Sequence, residues 1–173
     1  MMKWLCALMA LLCLALCSCG YHTSGKADLL PTDVQTIAIP GFQNQTRTYK
    51  IDQLLTQAVV HEFVGRTHYR ITNTTGHGAD ANLKGTVTYC YVYPVTFDTA
   101  TLRVATVEVV IGASVTLTDR DGRVLYSNPN YSFRDQYELA RDVATFFQEE
   151  SPALDRMSRD FARTLVSNIL EGY

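Results

Sequence analysis

The histidines and the late cysteine are the first residues to test for chemistry. His22, His61, His68 and His77 show no close metal-ligand spacing and bring no cysteine partners, so surface or helix positions are expected for them. Cys90 falls on the even, polar side of an alternating run, and a nucleophile there would need a neighbouring base. The expectation is a small side chain at a half-exposed strand position. Asp119-Arg120-Asp121-Gly122 has the opening of a calcium loop but lacks the closing glutamate, which makes it a turn. Phosphate-cradling glycine loops are absent from the sequence. Asn44-Gln45-Thr46 and Asn73-Thr74-Thr75 match a glycosylation pattern that has no bearing behind a bacterial leader. No catalytic site, metal or cofactor is expected, and the chain does not read as an enzyme.

Cys19 carries a different chemistry. Met1-Met2-Lys3 is followed by an apolar run of 13 residues, Trp4 to Leu16, which is the pattern of a secretory signal. The run is shorter than the roughly 20 apolar residues that a permanent membrane-spanning helix needs. It ends in Leu16-Cys17-Ser18-Cys19-Gly20, which resembles a lipobox: a branched residue, two small residues, and the cysteine that takes the diacylglycerol. Residues 1–18 are therefore expected to be removed and Cys19 to carry S-diacylglycerol and N-palmitoyl groups. Several acyl chains on one residue meet the requirement for stable anchoring, because one chain alone holds only marginally. Gly20, where Asp would favour inner-membrane retention, points to the outer membrane.

Removing residues 1–18 from the 173 leaves 155, with 14 basic and 17 acidic residues. A net charge of about −3 argues against bulk nucleic-acid binding. A chain of this length suffices for one domain that buries about 70% of its unfolded surface. Cys6, Cys13 and Cys17 leave with the leader and Cys19 is acylated, so Cys90 has no partner for an intrachain disulfide. The fold must stand on packing.

Residues 19–32 read as a lipidated tether and residues 33–173 as one domain. Val34, Ile37 and Ile39 lie in a β-rich run over residues 34–42, broken by Pro40-Gly41. Ile51, Leu54, Leu55, Ala58, Val59 and Phe63 have helical spacing, with Gly65 as a C-terminal cap. Tyr69-Arg70-Ile71 is a short strand, and residues 73–78 a polar turn. Leu83, Val87, Tyr89, Tyr91, Tyr93, Val95 and Phe97 occupy odd positions, against Lys84, Thr86, Thr88 and Thr96 on even ones. Such alternation marks one long strand with one buried face, and the tyrosines are expected under the helices. Pro94 requires a bulge or an edge. In a second long strand Val107, Val109, Ile111, Ala113, Val115 and Leu117 face the core, opposite Thr106, Glu108, Ser114 and Thr116. Residues 119–122 form a hairpin turn, Val124-Leu125-Tyr126 opens a third strand, and residues 128–142 read as polar and irregular. Phe146-Phe147 reads as an exposed apolar pair. Ser151-Pro152 is a helix start, and Leu154, Met157, Phe161, Leu165 and Ile169 line one helical face that ends at Gly172. The fold class is α+β: a two-layer sandwich in the order β-α-β-β-β-β-α, with a mixed or antiparallel sheet of four to five strands and two helices on one face. The other sheet face, rich in threonine, suits a polar lumen or a sugar-rich ligand.

The mature start Cys19-Gly20-Tyr21-His22, the run Ile37-Ala38-Ile39-Pro40-Gly41-Phe42 with Asn44 and Thr46, and Leu54, Leu55, Thr56 and Glu62-Phe63 form a pattern with Tyr69-Arg70-Ile71 and Ala79-Asp80-Ala81-Asn82-Leu83-Lys84-Gly85. Over essentially the whole mature chain, this pattern resembles the LPS-assembly lipoprotein LptE family. The resemblance implies two helices packed on a sheet, and a lipoprotein that plugs the lumen of the outer-membrane β-barrel LptD. It implies a part in inserting lipopolysaccharide into the outer leaflet, with the plug itself contacting lipopolysaccharide through basic side chains. Arg103, Arg123 and Arg134, near strand ends, are the candidates for those contacts. The segment from Ile37 to Thr46 also resembles the opening of curli-secretion and cell-wall-synthase activator lipoproteins, which would make the chain a secretion component or an enzyme activator.

Overall fold

A computed structural model of the chain describes residues 30–76, 78–139, 143 and 152–172. The elements are β1 (Thr36–Ala38), β2 (Gln43–Asn44), α1 (Ile51–Arg66), β3 (Arg70–Thr72), β4 (Ala81–Phe97), β5 (Val104–Asp119), β6 (Val124–Glu138) and α2 (Pro152–Glu171). The sheet is mixed. Its strand order is β3-β1-β4-β5-β6, and the two-residue β2 sits beside β4. β1 runs parallel to β3 and β4, whereas β4, β5 and β6 form an antiparallel meander. Helix α1 is the crossover that two parallel neighbours require. Among the described residues, no helix is long and apolar enough to cross a membrane.

The helices form because their apolar residues fall in stripes. In α1 the stripe is Ile51, Leu55, Val59 and Phe63, all fully buried. In α2 it is Leu154, Met157, Phe161, Leu165 and Ile169, widened by Ala162 and Val166. The helices pack on each other, and their stripes share one buried cluster with the face of β5 formed by Val107, Val109, Ile111, Ala113, Val115 and Leu117. Phe161 meets Tyr131 and Phe133 edge-on, at centroid separations of 5.5 and 5.7 Å. Tyr137 donates toward Asp160 Oδ2 at 3.3 Å and ties α2 to the same sheet face. Its phenol is pushed up by burial, then by the neighbouring carboxylates of Asp135 and Asp160, so it stays a donor.

Several boundaries differ from the sequence reading. Gly65 is inside α1, and the helix is closed instead by Thr67, whose amide and hydroxyl both donate to the Phe63 carbonyl at 3.0 and 2.7 Å. Residues 128–138 are strand rather than irregular chain. Asn128 and Pro129 mark a register shift in β6, where one extra residue moves the core side from Tyr126 to Tyr131, Phe133 and Tyr137. That parity change hid the alternation. Leu30, read as tether, is 4% exposed and packs in the core. His22, His77, Phe146-Phe147 and Ser151, like residues 1–29, lie outside the described residues.

Asp80 fastens the start of the sheet. Its carboxylate accepts the amides of Gln35 and Thr36 at 3.0 and 2.9 Å, and the Arg120 guanidinium reaches it at 2.8 Å. The Gln35 and Thr36 amides, with Arg120 and Arg70 assisting against partial desolvation, hold the carboxyl below its ordinary value. A folded value below the unfolded one, near ~3.9, means that the stabilisation is complete above about pH 4 and fades as pH falls through the folded value. The stability difference between the protein and Asp80→Asn should accordingly be present at pH 7 and shrink on acidification below pH 4. Urea unfolding at a series of pH values measures it, and a difference that stays constant down to pH 2 would contradict the assignment.

Candidate functional surface

Among the described residues, the sheet has one face under the helices and one face uncovered. Along β5 the uncovered side carries Thr106, Glu108, Val110, Gly112, Ser114 and Thr116, the threonine-rich face expected from the sequence. At 16 residues, β5 is roughly 50 Å long, so this face is unusually extended for a domain of this size.

The tyrosines of β4 are on this uncovered face, contrary to the expectation that they lie under the helices. From Leu83 to Val87 the odd residues of β4 are buried opposite the core residues of β5. Between Val87 and Tyr89 the register shifts by one extra residue on β4. A one-residue slip exchanges the two faces of a strand. Tyr89, Tyr91 and Tyr93 then pair with Gly112, Val110 and Glu108, all uncovered-side residues of β5. They form a row, Tyr89 stacked on Tyr91 at 5.6 Å and Tyr91 tilted against Tyr93 at 6.0 Å. Gly112 is what admits the first ring. A Cβ there would stand inside the ring of Tyr89, so no larger residue fits without moving the tyrosine.

The same shift turns Cys90 and Val92 inward, against the core, which corrects the placement of Cys90 on the polar side. Burial pushes its thiol up to about 11, with a hydrogen bond to the Thr48 side chain partly opposing the rise. A signal for the inversion was present. The even positions before it are Asn82, Lys84 and Thr86, whereas those after it are Cys90, Val92 and Pro94. Pro94 meets both of its sequence-based conditions: the register shifts beside it, and no strand pairs on the far side of β4 there among the described residues.

The three candidate arginines are spread over this surface and do not form one site. Arg103 is exposed beside the β4–β5 turn, at one end of β5. That turn is held by Asp98, whose carboxylate accepts the Thr101 amide and hydroxyl at 2.6 and 2.7 Å. Arg123 lies at the opposite end, in the β5–β6 hairpin, with its Nε 2.9 Å from Asp119. The Asp119 carboxylate also accepts the amides of Asp121 and Arg123, so it closes the turn around Gly122. Arg134 is midway along β6, opposite Val110, and pairs with Glu108 at 3.5 Å on the uncovered face. His61 and His68 are exposed, and among the described residues no cluster of three His, Cys, Asp or Glu could hold a metal ion.

Asn44 and Thr46, prominent in the family pattern, organise the loop before α1. Asn44 Oδ1 accepts the amide and hydroxyl of Thr46, and Asn44 Nδ2 donates to the Thr48 carbonyl. Thr56 on α1 receives the amide of Phe42 at 3.0 Å. Phe42 in turn covers Gly85, where a Cβ would approach its ring to 2.7 Å.

This architecture is that of a two-layer α+β domain whose long mixed sheet has one face that no described element covers. The chain belongs to the LptE family of lipopolysaccharide-assembly lipoproteins, whose family model matches residues 34–169. No curated protein sequence matches the chain. Among solved structures it is similar to the hypothetical protein CT253 from Chlamydia trachomatis, with a TM-score of 0.55 and 8% identity over 79% of this chain and 96% of that one. It is also similar to protein XCC0632 from Xanthomonas campestris, with a TM-score of 0.50 and 14% identity over 80% of this chain and 85% of that one. PelC from Paraburkholderia phytofirmans, solved as a dodecamer, has a TM-score of 0.46 and 14% identity over 78% of this chain and 87% of that one. The first two likenesses show a shared fold.

Two outcomes follow from the inverted half of β4. Gly112→Ala should cost about 1–3 kcal/mol, the usual range for overpacking. Loss of the near-UV circular dichroism of the tyrosine row should accompany it, and an unchanged urea midpoint would refute the packing. The Cys90 thiol should resist maleimide at pH 8 in the folded protein and react on unfolding in urea, as read by peptide mass spectrometry. Rapid labelling of the native protein would place it outside the core.

Proposed function

We propose that the protein is anchored in the outer membrane through acyl chains on Cys19, on the periplasmic side. There it plugs an LptD-like β-barrel, assists its assembly, and takes part in inserting lipopolysaccharide into the outer leaflet. Membership of the LptE family supports this reading. The observation that carries it is the face of β4, β5 and β6 that no described element covers: a sheet surface of threonines, paired charges and one tyrosine row. A polar barrel interior offers such a surface a matching wall. Buried interfaces favour tyrosine because its ring is apolar and its hydroxyl can still find a partner.

Arg103, Arg123 and Arg134 are proposed as contacts for lipopolysaccharide phosphates. Their separation along the sheet means that they would meet different parts of the ligand or act at different stages. Arg123 and Arg134 would first have to release Asp119 and Glu108, whereas Arg103 makes no ion pair among the described residues. The reading includes no cofactor beyond the covalent lipid and no catalytic step.

Depleting the protein should lower the amount of mature barrel and of surface lipopolysaccharide, and a pull-down from detergent-solubilised outer membrane should recover an LptD-like barrel. Recovery of no such barrel, with lipopolysaccharide export unchanged, would remove the plug hypothesis. Cys19→Ser should abolish acylation and shift the protein from the membrane to the soluble fraction.

A further inference from the structure

Among the described residues the sheet has three free edges, and they are not alike. The outer edge of β3 is only three residues long and carries Arg70. The outer edge of β6 carries Arg134, Asp135 and Glu138 and contains Pro129. Short length, charge and proline are the ordinary means of keeping an edge from pairing with another chain. The far edge of β4 differs. β1 pairs with it at Ala81 and Asn82, β2 pairs at Thr86 and Val87, and the Gln45 amide donates to the Val87 carbonyl. Beyond Val87, among the described residues, no backbone group bonds to that edge. Residues 88–97 contain no charged side chain; Pro94 limits pairing, and the Thr48 side chain reaches Cys90 by a hydrogen bond.

The free edge is also where apolar surface is exposed. Tyr91, Tyr93 and Phe97 are 53%, 50% and 56% exposed, and Val95 joins them. From Tyr93 onward, residues on both sides of the strand are exposed, so this part of the β4–β5 hairpin extends past the cover of the helices. We propose that the edge from Tyr89 to Tyr93 is a β-strand addition site. Its occupant is an extended, uncharged segment of about five residues from a different polypeptide, held in the envelope complex of this protein.

The unmet main-chain groups decide the chemistry of the occupant. A lipid or a glycan can cover tyrosine rings but cannot satisfy a row of amides and carbonyls at strand spacing; another strand can. Pro94 has no amide hydrogen, which ends the ladder there and sets the length of the segment. Side chains on one side of the added strand would continue the row begun by Tyr89, Tyr91 and Tyr93. The site does not depend on whether the partner is a barrel.

Hydrogen exchange tests this on the protein alone and on the complex recovered from detergent-solubilised membranes with the tagged full chain. Amides of residues 89–93 that face the free edge should exchange at least tenfold more slowly in the complex than in the protein alone. Tyr93→Lys should reduce recovery of the partner at least tenfold with unchanged circular dichroism and thermal midpoint. Val124→Lys, a similarly exposed site at the far end of the sheet, should leave recovery unchanged. A recovered complex whose edge amides exchange as fast as in the free protein overturns the inference and leaves the plug reading intact. Protected edge amides with a partner other than an LptD-like barrel uphold the inference and remove the plug reading. Protection that appears in the purified protein alone and falls on dilution makes the occupant a second copy and overturns the proposal, as does recovery of no polypeptide partner.

Discussion

One extra residue in β4, next to Thr88, governs what the two halves of this sheet do. Up to Val87 the strand gives its larger side chains to the core, where Leu83 and Val87 meet the helices. Beyond the shift it gives Cys90 and Val92 to the core and presents three tyrosines outward. Without the inversion those rings would compete with Tyr131, Phe133 and Phe161 for the space under α2. With it, the aromatic packing on the helix side comes from β6, and the aromatic surface comes from β4. A core packed at crystal-like density could not hold both sets.

The second shift, in β6, does the converse. By turning Tyr131, Phe133 and Tyr137 inward it supplies the aromatic layer that β4 withholds, and the Tyr137 hydroxyl anchors α2 at Asp160. The two irregularities are therefore complementary. Each would be a fault alone, since one would crowd the helix side and the other would leave it empty. Gly112 completes the pair, because the first ring of the inverted row, Tyr89, needs a floor without a side chain.

Much of the fold was legible in the sequence because helical stripes and strict alternation are direct records of burial. Ile51, Leu55, Val59 and Phe63 announce α1, and the odd residues of β5 announce the core face without error. The bulge in β4 left one weak trace, the change on even positions from Asn82, Lys84 and Thr86 to Cys90, Val92 and Pro94, and the odd-numbered tyrosines outweighed it. Around Thr88 the larger side chains stay on odd numbers while the face beneath them changes. Around Asn128-Pro129-Asn130 the polar residues imitate a loop. The uncovered face was foreseen in its threonines and missed in its tyrosines, for the same reason. Arg103, Arg123 and Arg134 could be chosen by charge from the sequence, but only the pairing register shows that they stand at different stations along the sheet.

The chain enters its core at Leu30, and that fixes how the domain can be held. Eleven residue steps separate Cys19 from Leu30, and a fully extended chain of that length reaches about 40 Å at most. With Cys19 as the point of attachment, the leash is shorter than β5. It joins the chain just before β1, near the end of the sheet that Asp80 and Arg120 fasten, while the β4–β5 hairpin tip lies at the other end. With the attachment proposed at Cys19, the domain would be held from the end of the sheet that Asp80 and Arg120 fasten, and the aromatic hairpin would be the part farthest from the tether.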